Sequence, residues 1–479
     1  MLVSHSRTVS RLRTMSDGNT VVRLDEPLPR SEVGDFMGSL SEVDGVARVE
    51  VDRKMYATDV PTDPMVDQQW HYTDDATGIR LVGARDITKG KGVTVGVVDS
   101  GITRHPDLAP LDGHDFITAP EIARDGRDSD PTDEGDWSEA TDTTRNRSGE
   151  FRPSVWHGTH VAGTIAARTN NGTGVAGVAG DAGVFSARAL GHCGGYTSDI
   201  IDAMLWAGGE EVEGAPANPN PAQVINMSLG GDGSCSSTFQ DAIDTLTSKG
   251  VAIVVAAGNA GRDASTNSPA NCRNVINVAS SGPDGALAPY SNHGSLVDVT
   301  APGGSMELGT EAGVLSTVNE GQRTPGSAGY DWMQGTSMAS PHVAGIVALM
   351  KSAKPSLTPA QIEQTLKDTA RPLPEGCSRG CGAGLVDATA AVRAVAGKTP
   401  TPPPAPTVKP TPKPTATRRP RRSPLRPDAH AHRGALRDAH PHPHPHAEAD
   451  PVAGSRPVAR RAHRRTAGQR RLRVEQRLE

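Results

Sequence analysis

Ser337 stands in GTSMASPHVAG (335–345), a small polar cluster set against an apolar run with helical spacing. A serine hydroxyl is a poor nucleophile until a base takes its proton and donors receive the oxyanion formed on the attacked carbonyl. Two other residues stand in matching surroundings. His157 opens the amphipathic run WHGTHVAGTIAA with glycine beside it, and Asp99 closes the strand-like run VTVGVVDSG. An imidazole to carry the proton and a carboxylate to orient it complete the groups that acyl transfer through serine requires. Taken singly they are a turn aspartate, a packed histidine and a helix N-cap. Together, each at a glycine-flanked element end, they point to covalent catalysis. At a helix N-terminus, Ser337 gains the helix dipole and its own backbone N–H as stabilisers of developing negative charge. Pro341 is expected to fall where first-turn N–H groups lack intrahelical partners.

The elements that must position these groups follow from residue 92 onward. VTVGVVDS, VINMSLG, VAIVVAAGN, NVINVAS and LVDVTAPG read as buried strands. GTHVAGTIAARTN, SDIIDAMLWAG, FQDAIDTLTSKG and SMASPHVAGIVALMKSA read as helices between and after them. Apolar strands separated by helices predict an α/β body with a mostly parallel sheet covered on both faces. Several strands end in polar or glycine residues, and sites in open parallel sheets lie at those carboxyl ends. Residues 20–57 alternate strand, helix and strand signals and predict a small α+β unit. TDVPTDP (58–64) reads as an exposed connection that is easily cut.

Composition divides the 479 residues into unlike parts. From residue 399 onward there are 18 Lys/Arg against 6 Asp/Glu, so a formal charge of −6 conceals a tail of +12 and a remainder of −18. Residues 399–422 form a Pro/Thr-rich linker and 423–479 an Arg/His-rich stretch with few large apolar residues, expected to be disordered. Its abrupt start suggests either a basic tail for anionic surfaces or a shift of reading frame, and HPHPHPH is a poor metal site. Residues 1–19 also read as disordered. They are basic but hold no apolar core of a signal peptide, so the expectation is either that the chain stays inside the cell or that its start is incomplete, with a start codon placed too late. No apolar run approaches the roughly 18 residues a membrane helix needs. Neither membrane insertion nor nucleic-acid binding is expected.

DSGI, HGTHVAGT, SLGG, AAGN and GTSMASPHVAG together resemble the subtilisin-like (subtilase) serine peptidases over residues 64–395. Asp, His and Ser also follow one another in the order of that family. The stretches ALGHCGGYTSDI, NMSLGGDGSCSS and NSPANCRNVINVAS are similar to its secreted bacterial branch. The resemblance implies a three-layer domain over 65–398 and secretion. It makes Ser337 the nucleophile, His157 the base and then acid, Asp99 the orienting carboxylate and Asn259 the side-chain donor to the oxyanion. Ser228, Leu229 and Gly230 would line one edge of a peptide cleft, with Gly195 and Tyr196 on the other, taking protein or peptide substrates by strand addition. Residues 20–57 would be part of a propeptide, an inhibitor tethered through 58–64 until the chain cuts itself. Cys193 would pair with Cys235 and Cys377 with Cys381, leaving Cys272 over.

Calcium is the cofactor expected, as a structural ion. RDGRDSDPTDEGDW (124–137) gathers Asp125, Asp128, Asp130, Asp133, Glu134 and Asp136, a density of hard oxygen ligands suited to that ion. The resemblance adds a second set, Gln69, Asp107 and Asn171. His160 and His342 are expected to be packed, since HGTH lacks the glutamate of HExxH. Two other classes compete with the peptidase reading. A non-catalytic peptide-binding relative would normally lack a triad residue, and an α/β-hydrolase esterase would carry GxSxG where this chain has GTSMA.

Overall fold

Val95, Val97 and Val98, Val224 and Ile225, and Ala252 to Ala256 are all buried, so both faces of these strands must be covered. The computed structural model describes residues 2–4, 7–16, 18–24, 30–43, 45–52, 61–123, 126–141, 150–192, 194–397 and 470–475. The chain divides into two units, one of Tyr56–Thr401 and one of Met1–Met55 with Pro402–Glu479.

The larger unit holds a seven-stranded sheet in the order Val299–Pro302, Ile276–Ser281, Ala252–Ala256, Val224–Met227, Thr94–Asp99, Gly183–Arg188, His114–Asp115, with every pairing parallel. One face packs against the helices His157–Ala166 and Thr336–Ala353 through Val161, Ile165, Val343 and Val347. The other face packs against Thr197–Ala207 and Ser237–Ser248 through Met204, Trp206, Ile243 and Leu246. The result is the three-layer α/β arrangement expected. Asp99 ends a central strand, flanked by the strands that lead into 228–230 and 189–196. Among the described residues no helix is long and apolar enough to cross a membrane.

In the smaller unit, Thr20–Leu24, Arg30–Ser41 and Val46–Asp52 form strand, helix and strand around Val22, Phe36, Leu40 and Val49. Two departures from expectation occur here. Leu2–Ser4 and Arg7–Thr14 are strands although residues 1–19 read as disordered. Arg7–Thr14 folds back on Thr20–Leu24 through a turn at Gly18 (φ 86°), and Val9 joins the core. Within the stretch read as an unfolded tail, Arg470–Glu475 is a strand lying parallel to both Thr20–Leu24 and Val46–Asp52. The linker 399–422 and the rest of 423–479 lie outside the described residues.

The exposed connection expected at 58–64 is corrected at its end. Residues 58–60 lie outside the described residues, but Asp63 is buried and its carboxylate accepts the N–H groups of Asn170 (2.9 Å) and Asn171 (3.1 Å). Thr62 N donates to Asn170 Oδ1 at 2.8 Å.

The disulfide expectation is corrected as well. Cys235 is bonded to Cys272, and Cys377 to Cys381. Gly231–Asp232 pairs antiparallel with Asn267–Ser268, and this short ladder brings the residues that follow each strand together. Cys193 lies outside the described residues.

Candidate active site

Each candidate catalytic side chain sits at the end of an element. Asp99 is the last residue of its strand and fully buried. His157 is the first residue of its helix, entered through Trp156 in the left-handed region (φ 58°), with the His157 side chain 26% exposed. His157 Nδ1 donates to Asp99 Oδ1 at 2.7 Å, and Ser100 N donates to the same oxygen at 2.8 Å. Burial by itself lowers the pKa of the imidazole. The Asp99 carboxylate, with Asp136 and Asp133 behind it, outweighs that effect and holds it above the ordinary histidine value.

Ser337 is the second residue of the helix Thr336–Ala353, whose N-cap is Gly335. Gly335 has φ 151°, within the range that favours glycine. At this helix start Thr336 N donates to Asn259 Oδ1 (2.8 Å), and Met338 N and Ala339 N reach Gly335 O (2.9 and 3.3 Å). Ser337 N–H alone of these four makes no hydrogen bond among the described residues. The Thr336 hydroxyl also donates to Asn259 Oδ1, at 2.9 Å, and this pair of bonds turns Asn259 Nδ2 the other way. A Cβ built on Gly335 would lie 3.4 Å from Asn259 Nδ2, 3.6 Å from Ser337 N and 3.8 Å from Asn259 Oδ1, so two donors border one small space together with the oxygen already engaged by Thr336. That is the arrangement an oxyanion needs. The Ser337 hydroxyl itself donates to Ser228 O at 3.2 Å rather than to the imidazole.

Pro341 is the sixth residue of this helix, not part of its first turn, so the expectation for it is corrected. Its ring removes the N–H that would bond Ser337 O. Ser228 Oγ takes that place, donating to Ser337 O at 2.8 Å, while Asn226 Nδ2 donates to Ser228 Oγ at 2.9 Å. Ser228 is therefore buried behind Ser337, and Leu229 is half-buried beside it. Gly230 is exposed. On the segment after the neighbouring strand, Gly195 is a close approach, since an added Cβ would meet Ala189 O at 2.0 Å. Tyr196 is 52% exposed, with its hydroxyl on Glu121 at 3.2 Å.

His160 and His342 are buried, as packing requires. His160 Nε2 meets Val314 O at 2.9 Å, and His342 joins Met338 O and His71 Nδ1, each at 2.8 Å.

The residues expected to hold calcium do not fit it. Gln69 uses both ends of its amide on Ala176, with Oε1 accepting Ala176 N–H and Nε2 donating to Ala176 O, each at 2.9 Å. The carboxylate of Asp107 accepts from Asn171 Nδ2 (2.7 Å), Val175 N (2.9 Å) and the Tyr330 hydroxyl (3.3 Å). Donors converge there where a cation would need oxygens. In the acidic segment, Asp128 and Asp130 accept backbone N–H groups of Asp130 and Thr132, and Asp136 accepts Val155 N–H. Asp133 turns inward to Ser100, and Glu134 reaches Arg188 at 3.2 Å. Asp125 lies outside the described residues. Among the described residues no three His, Cys, Asp or Glu side chains gather as a metal cage. Carboxylate density along a sequence does not say where the carboxylates point.

Sequence reasoning missed Thr336, the anchor of Asn259, and Arg188. Arg188 pairs across the strand register with Asp99 and forms a buried ion pair with Asp115. Only the lone arginine in the apolar run GVFSAR hinted at it.

Comparison with known proteins adds to this geometry. The profile described as the subtilase family matches residues 90–384. The chain is 51% identical over 394 residues to a protein of Xanthomonas campestris pv. campestris named "Extracellular protease", covering 81% of this chain and 66% of that one. It is 45% identical over 400 residues to the "Extracellular basic protease" of Dichelobacter nodosus, covering 81% and 64%. A solved protease structure from Pseudoalteromonas arctica matches with 53% identity and a TM-score of 0.68, over 70% of this chain and 99% of that one. The chain thus spans just under two thirds of the length of the two named relatives.

Proposed function

We infer, from the premise that this chain belongs to the subtilase family, that it is an extracellular serine endopeptidase acting on protein or peptide substrates. The bond from His157 Nδ1 to the buried Asp99 carboxylate, 2.7 Å long, carries the reading. It fixes the tautomer that leaves Nε2 bare to accept a proton. In the reaction the Ser337 hydroxyl rotates from Ser228 O toward that nitrogen, loses its proton to it and attacks the scissile carbonyl. The oxyanion takes hydrogen bonds from Asn259 Nδ2 and Ser337 N–H. His157 then gives the proton to the departing amine, leaving an acyl-enzyme. Water, deprotonated by the same imidazole, releases the acyl group and restores the serine. Ser228, Leu229 and Gly230 on one side and Gly195 and Tyr196 on the other would hold the peptide as an added strand.

Secretion is supported by the names of the relatives. Calcium binding is general among subtilisin-like relatives, but this reading assigns no ion to Gln69, Asp107 and Asn171, nor to Asp128, Asp130, Asp133 and Asp136.

The unit within residues 20–57 acts as the chain's own inhibitor until cut away, in line with its strand, helix and strand. Because Asp63 is held inside the larger unit, the cut falls on its N-terminal side. Expression of the intact chain and of Ser337→Ala, followed by intact-mass measurement, tests this. The intact chain should lose its N-terminal unit and the variant should keep it. An uncut intact chain would remove the self-processing reading.

A further inference from the structure

The acidic segment read as a cation loop sends one carboxylate into the catalytic centre. Asp133 is 3% exposed, and its Oδ2 accepts the Ser100 hydroxyl at 2.6 Å while its Oδ1 accepts Gly135 N–H at 2.8 Å. Ser100 follows Asp99 directly. A hydroxyl has one proton, and with that proton donated in a hydrogen bond to Asp133 the oxygen's lone pairs are aimed elsewhere. They receive Gly158 N–H at 3.0 Å, the backbone donor next to His157. The same Ser100 donates its own N–H to Asp99 Oδ1, the atom that holds His157 Nδ1. One residue therefore touches both the carboxylate and the start of the imidazole's helix, and Asp133 sets the direction of its hydroxyl.

Close packing surrounds this junction. Gly101 has φ 110°, and an added Cβ would lie 2.5 Å from Asp133 N; at Gly158 it would lie 2.2 Å from Gly101 O. Hydrogen bonds tie the segment to its neighbours. Asp115 N donates to Asp128 O (2.9 Å), Ile102 N to Pro131 O (3.3 Å) and Arg188 Nη2 to Glu134 (3.2 Å).

We propose that Asp133 is a positioning residue for the catalytic pair, acting through Ser100 to fix the Asp99 carboxylate against His157. This rests on the peptidase reading above. Asp133 touches neither substrate nor reacting atoms. Its effect comes through alignment, and a misplacement on the order of 1 Å in such a pair costs about 100-fold in rate.

Kinetics of the full chain at pH 8.5 test it. That pH lies above the value of about 7 to which burial raises the Asp133 carboxyl. Asp133→Ala, Ser100→Ala, the double variant and Asp133→Asn are compared, with active sites counted by a fluorophosphonate and folding checked by thermal unfolding. Asp133→Ala should lower kcat per titrated site by roughly 10- to 100-fold, with KM within about twofold. The double variant should be no slower than the slower single variant, because both remove one path. Asp133→Asn keeps an acceptor for the Ser100 hydroxyl and should recover most of the rate. Losses that multiply in the double variant would overturn the proposal. So would an unchanged kcat per titrated site in Asp133→Ala, even with fewer sites or a lower Tm. An unmutated chain that neither labels nor turns over substrate would instead defeat the peptidase reading itself.

Discussion

Ser228 donates its hydroxyl to the carbonyl of Ser337 at 2.8 Å, the carbonyl that Pro341 leaves without its helical N–H. A break in the helix ladder thus becomes the tie between the peptide unit of Ser337 and the segment that follows the strand Val224–Met227. The tie also frees the start of the helix for chemistry, since Ser337 is held from its carbonyl side while its N–H stays available.

Ser228→Ala should strand a buried carbonyl and cost about 1–3 kcal/mol of stability. Pro341→Ala in the same chain restores an N–H aimed at Ser337 O and should return most of that loss. Urea unfolding in the Ser337→Ala background, which avoids self-digestion, measures both. Additive losses in the double variant would show that the two groups do not share the carbonyl.

Asn259→Ala should lower kcat by about 100- to 1000-fold with little change in KM, the magnitude that loss of one oxyanion donor typically costs. The KM half of the prediction follows from the proposed role, because Nδ2 borders the space beside Gly335 and would bond an oxyanion formed only in the transition state. A loss confined to KM would place Asn259 in ground-state binding instead.

Acid should unfold the protein through its buried imidazoles. Burial lowers the pKa of His342 to about 4 and of His160 to about 3, and His71 lies well below the ordinary value. The unfolded chain takes up these protons near pH 6.5 and the folded one does not. The stability contributed by the neutral forms is therefore complete above about pH 6.5 and is lost as pH falls toward 4, by roughly 1.4 kcal/mol per pH unit for each group. Unfolding free energies at pH 7, 6 and 5 should fall steeply in the parent and less so in His342→Phe. Equal slopes in the two would contradict the assignment.

Asp107→Asn should destabilise the protein equally in calcium and in a chelator. Three donors already converge on that carboxylate, Tyr330 among them. A penalty seen only when calcium is present would mean that Asp107 is a ligand after all.

Much of the site was legible because catalysis here needs residue types that chain signals mark. Asp99, His157 and Ser337 each stand beside glycine at the end of a run with clear periodicity, and Asn259 follows a run of buried residues. The order of strands gave their common end. What was not legible depends on where side chains point. The partner of Cys235 is decided by the pairing of Gly231–Asp232 with Asn267–Ser268, a ladder too short to leave a pattern. Asp133 reads as one acid among several until Ser100 is seen to reach it. Arg7–Thr14 becomes a strand through its pairing with Thr20–Leu24 and Leu2–Ser4, since its arginines hide the alternation. Pro341 was misplaced because the helix begins at Thr336, one residue before Ser337.

The claim at the centre is that Asp99 and His157, already joined, act on Ser337. Treatment with a fluorophosphonate, followed by peptide mass spectrometry, reads this directly. One phosphonyl group should appear on Ser337 of the folded chain, and none should appear there in His157→Ala on the same timescale. Folded protein that stays unlabelled, or that carries the adduct on Ser337 equally fast without His157, would contradict the account.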